Sequence, residues 1–182
     1  MGQTGQTLAT FKLTAGPQES ISVTKVIVTD TISGTSAAAT GSIVNLKLFK
    51  SNGTQVGTTV ASMTSSSTGL NVLATFTGIN NLTVAKDGTE VLTLKADVNG
   101  YPNAVSGSAH TFQIISAGDV TALGALSGQG PSVSGAPAGT AQTVYRSELS
   151  VANAMSNMTG GSSAAQQVGK YTFTNTSAGN YT

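Results

Sequence analysis

Apolar and polar residues alternate with a period of two along most of this chain. In LATFKLTA, Ala9, Phe11, Leu13 and Ala15 share one side, and Thr10, Lys12 and Thr14 share the other. This is the pattern of a strand with one buried face. SISVTKVIVTD keeps the period but changes phase, since Ile21 and Val23 have one parity and Val26 and Val28 the other. A slip inside one run predicts a β-bulge near Thr24 or Lys25. The alternative is a strand buried on both faces there. The next stretch, Thr31 to Ser42, reads as a flexible small-residue loop. No helical apolar period is sustained anywhere, so strands are the expected elements.

Turn chemistry sets the order of those strands. IVNLKLFK and QVGTTV flank Ser51-Asn52-Gly53-Thr54, and an Asn-Gly pair between strand-like runs predicts a hairpin. INNLTVA and EVLTLKADV flank Lys86-Asp87-Gly88-Thr89 and read as a second hairpin. LNVLATFTGI, SAHTFQIIS and DVTAL complete the series. About seven to nine short strands with turns at this spacing predict an all-β fold, an antiparallel β-sandwich, with a barrel as the structural alternative. Its core is expected from Phe11, Leu13, Val23, Val26, Val28, Leu46, Leu48, Leu73, Phe76, Leu82, Val84, Leu92, Leu94, Phe112 and Ile114. This module spans residues 1–123. Five glycines and two prolines between Gly124 and Thr140 mark residues 124–140 as a linker. Residues 141–182 resume strand character.

Composition narrows the function classes. Charged residues make up 8% of the chain, against roughly 25% in typical soluble domains. The net charge of +1 includes no basic stripe, so nucleic acid is not an expected partner. Near-neutrality gives copies little mutual repulsion, which permits close-packed assembly. Cysteine is absent, so neither a disulfide framework nor a thiolate metal site is available. MGQTGQTLATFKLT has neither the basic nor the apolar region of a signal peptide. No apolar run approaches the roughly 18 residues of a membrane span, so membrane insertion is not expected.

The end of the chain resembles its beginning. VGKYTFTNTSAGNYT, from Val168, can be laid over LATFKLTAGPQESIS, from Leu8. Tyr171 then falls on Phe11, Phe173 on Leu13, Thr174 on Thr14 and Tyr181 on Ile21, at a constant offset of 160, as from Leu13 to Phe173. Strand-and-turn patterns recur by coincidence in β proteins. The reading adopted is a repeat of that length whose second copy breaks off after its opening strand. Residues 141–182 are then a junction strand and the truncated start of the next repeat. ISVTKVIVTD, IVNLKLFKSNGTQVGTTVAS, INNLTVAKDGTEVLTLKADV and TVYRSELSVA together resemble the tandem immunoglobulin-like modules of large bacterial cell-surface and surface-layer-type proteins. The resemblance covers most of residues 8–123 and rests on strands and turns, without a catalytic signature. It implies an immunoglobulin-like sandwich in a secreted or cell-surface parent, a stalk, layer or filament module. The implied partners are other copies or neighbouring modules of one chain. An adhesin or carbohydrate-binding module, with a glycan as partner, is the alternative.

Candidate chemistry is sparse. His110 is the only histidine, and no nucleophile-elbow motif accompanies it, so a structural place at an edge or facing solvent is expected. One imidazole does not make a zinc centre. Asp97-Val98-Asn99-Gly100 has the start of a calcium loop without its distal glutamate, and Asp30 and Asp119 are the acids that could join it. Lys12, Lys25 and Lys95, with Glu19, Asp30 and Asp97, are the groups an internal Lys–Asn crosslink would need, but each is expected on a solvent face. No catalytic residue, cofactor or metal ligand is therefore nominated. The residues assigned to assembly are Val168, Tyr171, Phe173 and Tyr181, as a strand able to replace the first strand of another copy.

Overall fold

The computed structural model describes residues 1–34, 37–66, 70–146, 149–153 and 170–175. It is an all-β sandwich. One sheet has four strands in the order β1-β8-β3-β4, from β1 (Gln6–Thr14), β3 (Ile43–Phe49), β4 (Gln55–Val60) and β8 (Thr89–Val98). The other is built on β2 (Ile21–Ser33) and contains β5 (Thr64–Ser65), β6 (Asn71–Phe76), β7 (Thr83–Val84), β9 (Ala109–Gln113), β10 (Val120–Gly124) and β11 (Gln142–Thr143). A separate two-stranded ribbon joins β12 (Leu149–Asn153) to β13 (Tyr171–Asn175). All these pairings are antiparallel.

β2 is the spine. Its second half pairs with β6 on one side and β9 on the other, and its first half pairs with β7 and β10. Between the halves lies the expected bulge: Thr121 faces Lys25 but Ala122 faces Val23, which leaves Thr24 unmatched. The Thr24 hydroxyl instead donates to the Thr121 carbonyl at 3.2 Å. The extra residue resets the phase, so Val23 and the later Val26 and Val28 are all buried in one core. β2 runs on to Ser33, and Ala37–Gly41 forms a 3-10 turn with Ala39 buried. The expected loop is therefore shorter and partly packed.

Thirteen of the fifteen expected core residues are buried; Leu13 and Leu73 are half-buried. Val72, Ala74 and Phe76 carry the inward phase of β6, which turns Leu73 to the other face. The Asn52-Gly53 turn closes the β3–β4 hairpin, with Gly53 at φ +81° and the Lys50 amide donating to Thr54. The second expected hairpin does not form. β7 pairs with β2, whereas β8 pairs with β1 and β3. The Asp87-Gly88 turn thus carries the chain between sheets, pinned to the end of β1 by Ala15 N–H to Gly88 O and Asp87 N–H to Gly16 O. A turn signal fixes a reversal, not the partner of the strand that follows.

The larger sheet extends beyond residue 123. Gln113 bridges to Ala138, Ile114 donates to Pro137, and β11 pairs with β9. Val144 is buried and bonded to Ser108 and Gly107, and the Met1 ammonium donates to Tyr145 O at 2.9 Å. Part of the Gly/Pro-rich stretch is therefore an edge of the sandwich. By contrast, residues 130–136 make no hydrogen bond to the described residues.

Candidate functional site

The ribbon exposes an apolar face. Its register sets Val151 opposite Phe173 and Asn153 opposite Tyr171, and directly opposed residues of an antiparallel pair point to the same side. Val151, Tyr171 and Phe173 are 56%, 67% and 65% exposed. Large apolar side chains grouped on one exposed face mark an interaction surface. Of the four residues expected in assembly, Tyr171 and Phe173 lie here, while Val168 and Tyr181 lie outside the described residues. Val151 was not singled out from sequence, because its importance comes from the cross-strand register.

The strand that β13 resembles sits at a sheet edge. β1 pairs with β8 alone among the described strands, so its other edge carries no ladder. Beside it runs a groove of about 440 Å³. Consecutive residues Lys12, Leu13, Thr14 and Ala15 line it. Since neighbours on a strand point to opposite faces, the groove follows the edge of β1. Its floor is apolar, with Ile21, Val23, Val84, Val120 and Ala122, and residues 131–134 form the far wall.

The histidine is not at an edge or in solvent. His110 is fully buried on β9, which lies between β11 and β2, because the β9 phase that buries Phe112 and Ile114 also includes it. Asp30 is likewise buried, on the inward phase that follows the β2 bulge, and not on a solvent face. Asp30 Oδ2 lies 2.6 Å from His110 Nδ1, and Ser108 Oγ lies 3.0 Å from Nε2. This is the order of a Ser-His-Asp triad, but the proton count differs. The Ser108 hydroxyl donates its hydrogen to Val105 O at 2.8 Å, so Nε2 must itself donate to Oγ. A nucleophile needs the reverse polarity and access to substrate, whereas Ser108, His110 and Asp30 are all fully buried. The chain acts as a polar strut between the main core and the smaller cluster of Ile32, Ala39 and Val72. Burial raises the Asp30 carboxyl above its ordinary range, opposed by the bond and charge of His110 and by the Thr111 amide. Its Oδ1 has no hydrogen-bond partner among the described residues, so the Thr111 amide acts as a nearby dipole.

Asp97, Glu19 and Asp119 are engaged in loop geometry. Asp97 accepts from Gly5 N–H at 2.8 Å and from Asn45 Nδ2 at 2.9 Å, which hold it below the usual carboxylate range, Asn45 most strongly. Asn45 has a left-handed φ of +53°, and this bond fixes its side chain at the β3 irregularity. Glu19 accepts from the Ser127 hydroxyl and from the Leu126 and Ser127 amides, and these lower its pKa in that order. Asp119 caps a short turn through Ser116 N–H. Among the described residues no three His, Asp or Glu side chains form a metal-binding group. Because Asp97 already has its partners, EDTA is expected to leave the thermal midpoint unchanged. A fall in EDTA reversed by calcium would contradict this.

No protein-family model, curated protein or solved structure matches the chain. Among the described residues no helix is long and apolar enough to cross a membrane.

Proposed function

We propose that this chain is a structural module of an extracellular surface protein, of the stalk, layer or filament kind, with an immunoglobulin-like sandwich that associates through strand edges. The observation that carries the reading is the exposed apolar face of Val151, Tyr171 and Phe173, on a ribbon whose second strand, β13, repeats the pattern of edge strand β1. If β13 of one copy takes the β1 position on β8 of another, Tyr171 falls opposite Leu92, as Phe11 does now, and Phe173 opposite Glu90, as Leu13 does now. β13 then takes over the part of the ladder that Phe11–Thr14 now make, the second half of the nine-residue β1. A head-to-tail contact of this kind propagates unless its rotation closes a ring. The low charge of the chain supports the same reading, because copies approach without strong repulsion.

The test is self-association of the purified chain. Concentration-dependent oligomers or filaments are expected in light scattering and micrographs, and a Tyr171→Ser, Phe173→Ser double variant should stay monomeric with an unchanged melting profile. A parent chain that is monomeric at high concentration, or a variant that assembles equally well, would refute the reading.

A further inference from the structure

We infer that the groove beside β1 is the seat of β12 from a second copy, with Val151 as the side chain that fills it. The inference rests on the strand-edge association proposed above and specifies what covers the groove. A strand has two edges. At the β1 position one edge is taken by β8. β13, the strand that resembles β1, carries β12 antiparallel along one of its own edges. When β13 occupies the β1 position on β8 of another copy, β12 therefore runs along the outer edge, and that is where the groove lies.

The side-chain phase agrees. At the offset that relates the two strands, Phe173 stands in the place of Leu13, a groove-lining residue. Val151 is directly opposite Phe173 and so points to the same inner side, over Ile21, Val23, Val120 and Ala122. Ala152, of the other parity, faces outward. In the isolated ribbon Val151 is 56% exposed, so its transfer into an apolar groove favours the assembled state. The far wall can accommodate it, because residues 131–134 make no hydrogen bond to the described residues that an incoming strand must break.

The chain has no cysteine, so single-cysteine variants report this contact directly. Val151→Cys and Val133→Cys chains, one isotopically heavy, are mixed under assembly conditions and oxidised, and linked heterodimers are read by mass spectrometry. The expected result is a heterodimer far in excess of that from Val151→Cys mixed with Thr59→Cys, which lies on β4 at the opposite sheet edge. Separately, Val151→Asp should raise the concentration for half-assembly by about tenfold or more, since the carboxylate would lose its water over the apolar floor of Ile21, Val23, Val120 and Ala122. If assembly proceeds but the heterodimer does not exceed the control and Val151→Asp assembles normally, the groove assignment is overturned and edge association stands. If the parent chain does not assemble, the association reading fails first and the groove assignment with it.

Discussion

Replacing His110 with alanine is expected to destabilise the fold by about 3–5 kcal/mol, the usual result of removing one member of a buried ionic or polar pair. The loss exceeds that of an ordinary hydrogen bond, since Asp30 would stay in the interior with neither oxygen paired. The pH dependence identifies the cause. The Asp30 carboxyl is raised by burial, and His110 is the main opposing influence. A carboxyl with a raised folded pKa favours folding most below its ordinary value of about 3.9, and that contribution is lost as pH rises through the folded value. Without the imidazole the rise is larger. The deficit of His110→Ala should therefore be greater at about pH 7 than at about pH 4, as read from denaturant midpoints. Asp30→Asn should cost only about 1 kcal/mol, because an amide hydrogen can donate to Nδ1 while Nε2–H still serves Ser108. An equal deficit at both pH values, or an asparagine variant as damaged as the alanine one, would show that the pair acts through packing alone.

The second large effect is expected at Phe112. It is fully buried in the main core and stacks on the His110 ring at 6.4 Å between centroids. Phe112→Ala should cost about 3–5 kcal/mol, as other buried aromatics do when truncated. Leu73→Ala is the internal comparison, since Leu73 lies half-buried on the opposite phase of β6, and its cost should be well below half as large. Comparable losses at both positions would mean that the inner face of that sheet has been misassigned.

Much of the sandwich could be read from the sequence because two-residue periodicity encodes which side of a strand is buried. The phase change at Thr24 even located the β2 bulge. Partner choice was less accessible. The Asp87-Gly88 turn has the chemistry of a hairpin, but the strand before it, β7, has only two residues and is held by β2, so β8 pairs with β1 and β3, and those pairings are non-local. His110 and Asp30 were misplaced for a related reason. Each is polar, so alone it suggests solvent, and only their meeting across 80 positions of sequence makes burial tolerable. The phase of SAHTFQIIS did contain the signal, since His110, Phe112 and Ile114 share one parity.

The dependence of β2 on distant neighbours also governs the order of events during synthesis. Ile21–Ser33 is made before its partners, because its ladders are supplied by residues 71–84 and 109–124. Such long-range pairing is intrinsically slow. Until those residues are made, a thirteen-residue run rich in Val and Ile waits with both edges open, the kind of segment that stacks with its own copies. Lys25 and Asp30 interrupt it at intervals and serve as gatekeepers in that interval. Asp30 therefore has a second role before the sandwich closes: the carboxylate that needs His110 in the finished core keeps the nascent strand soluble.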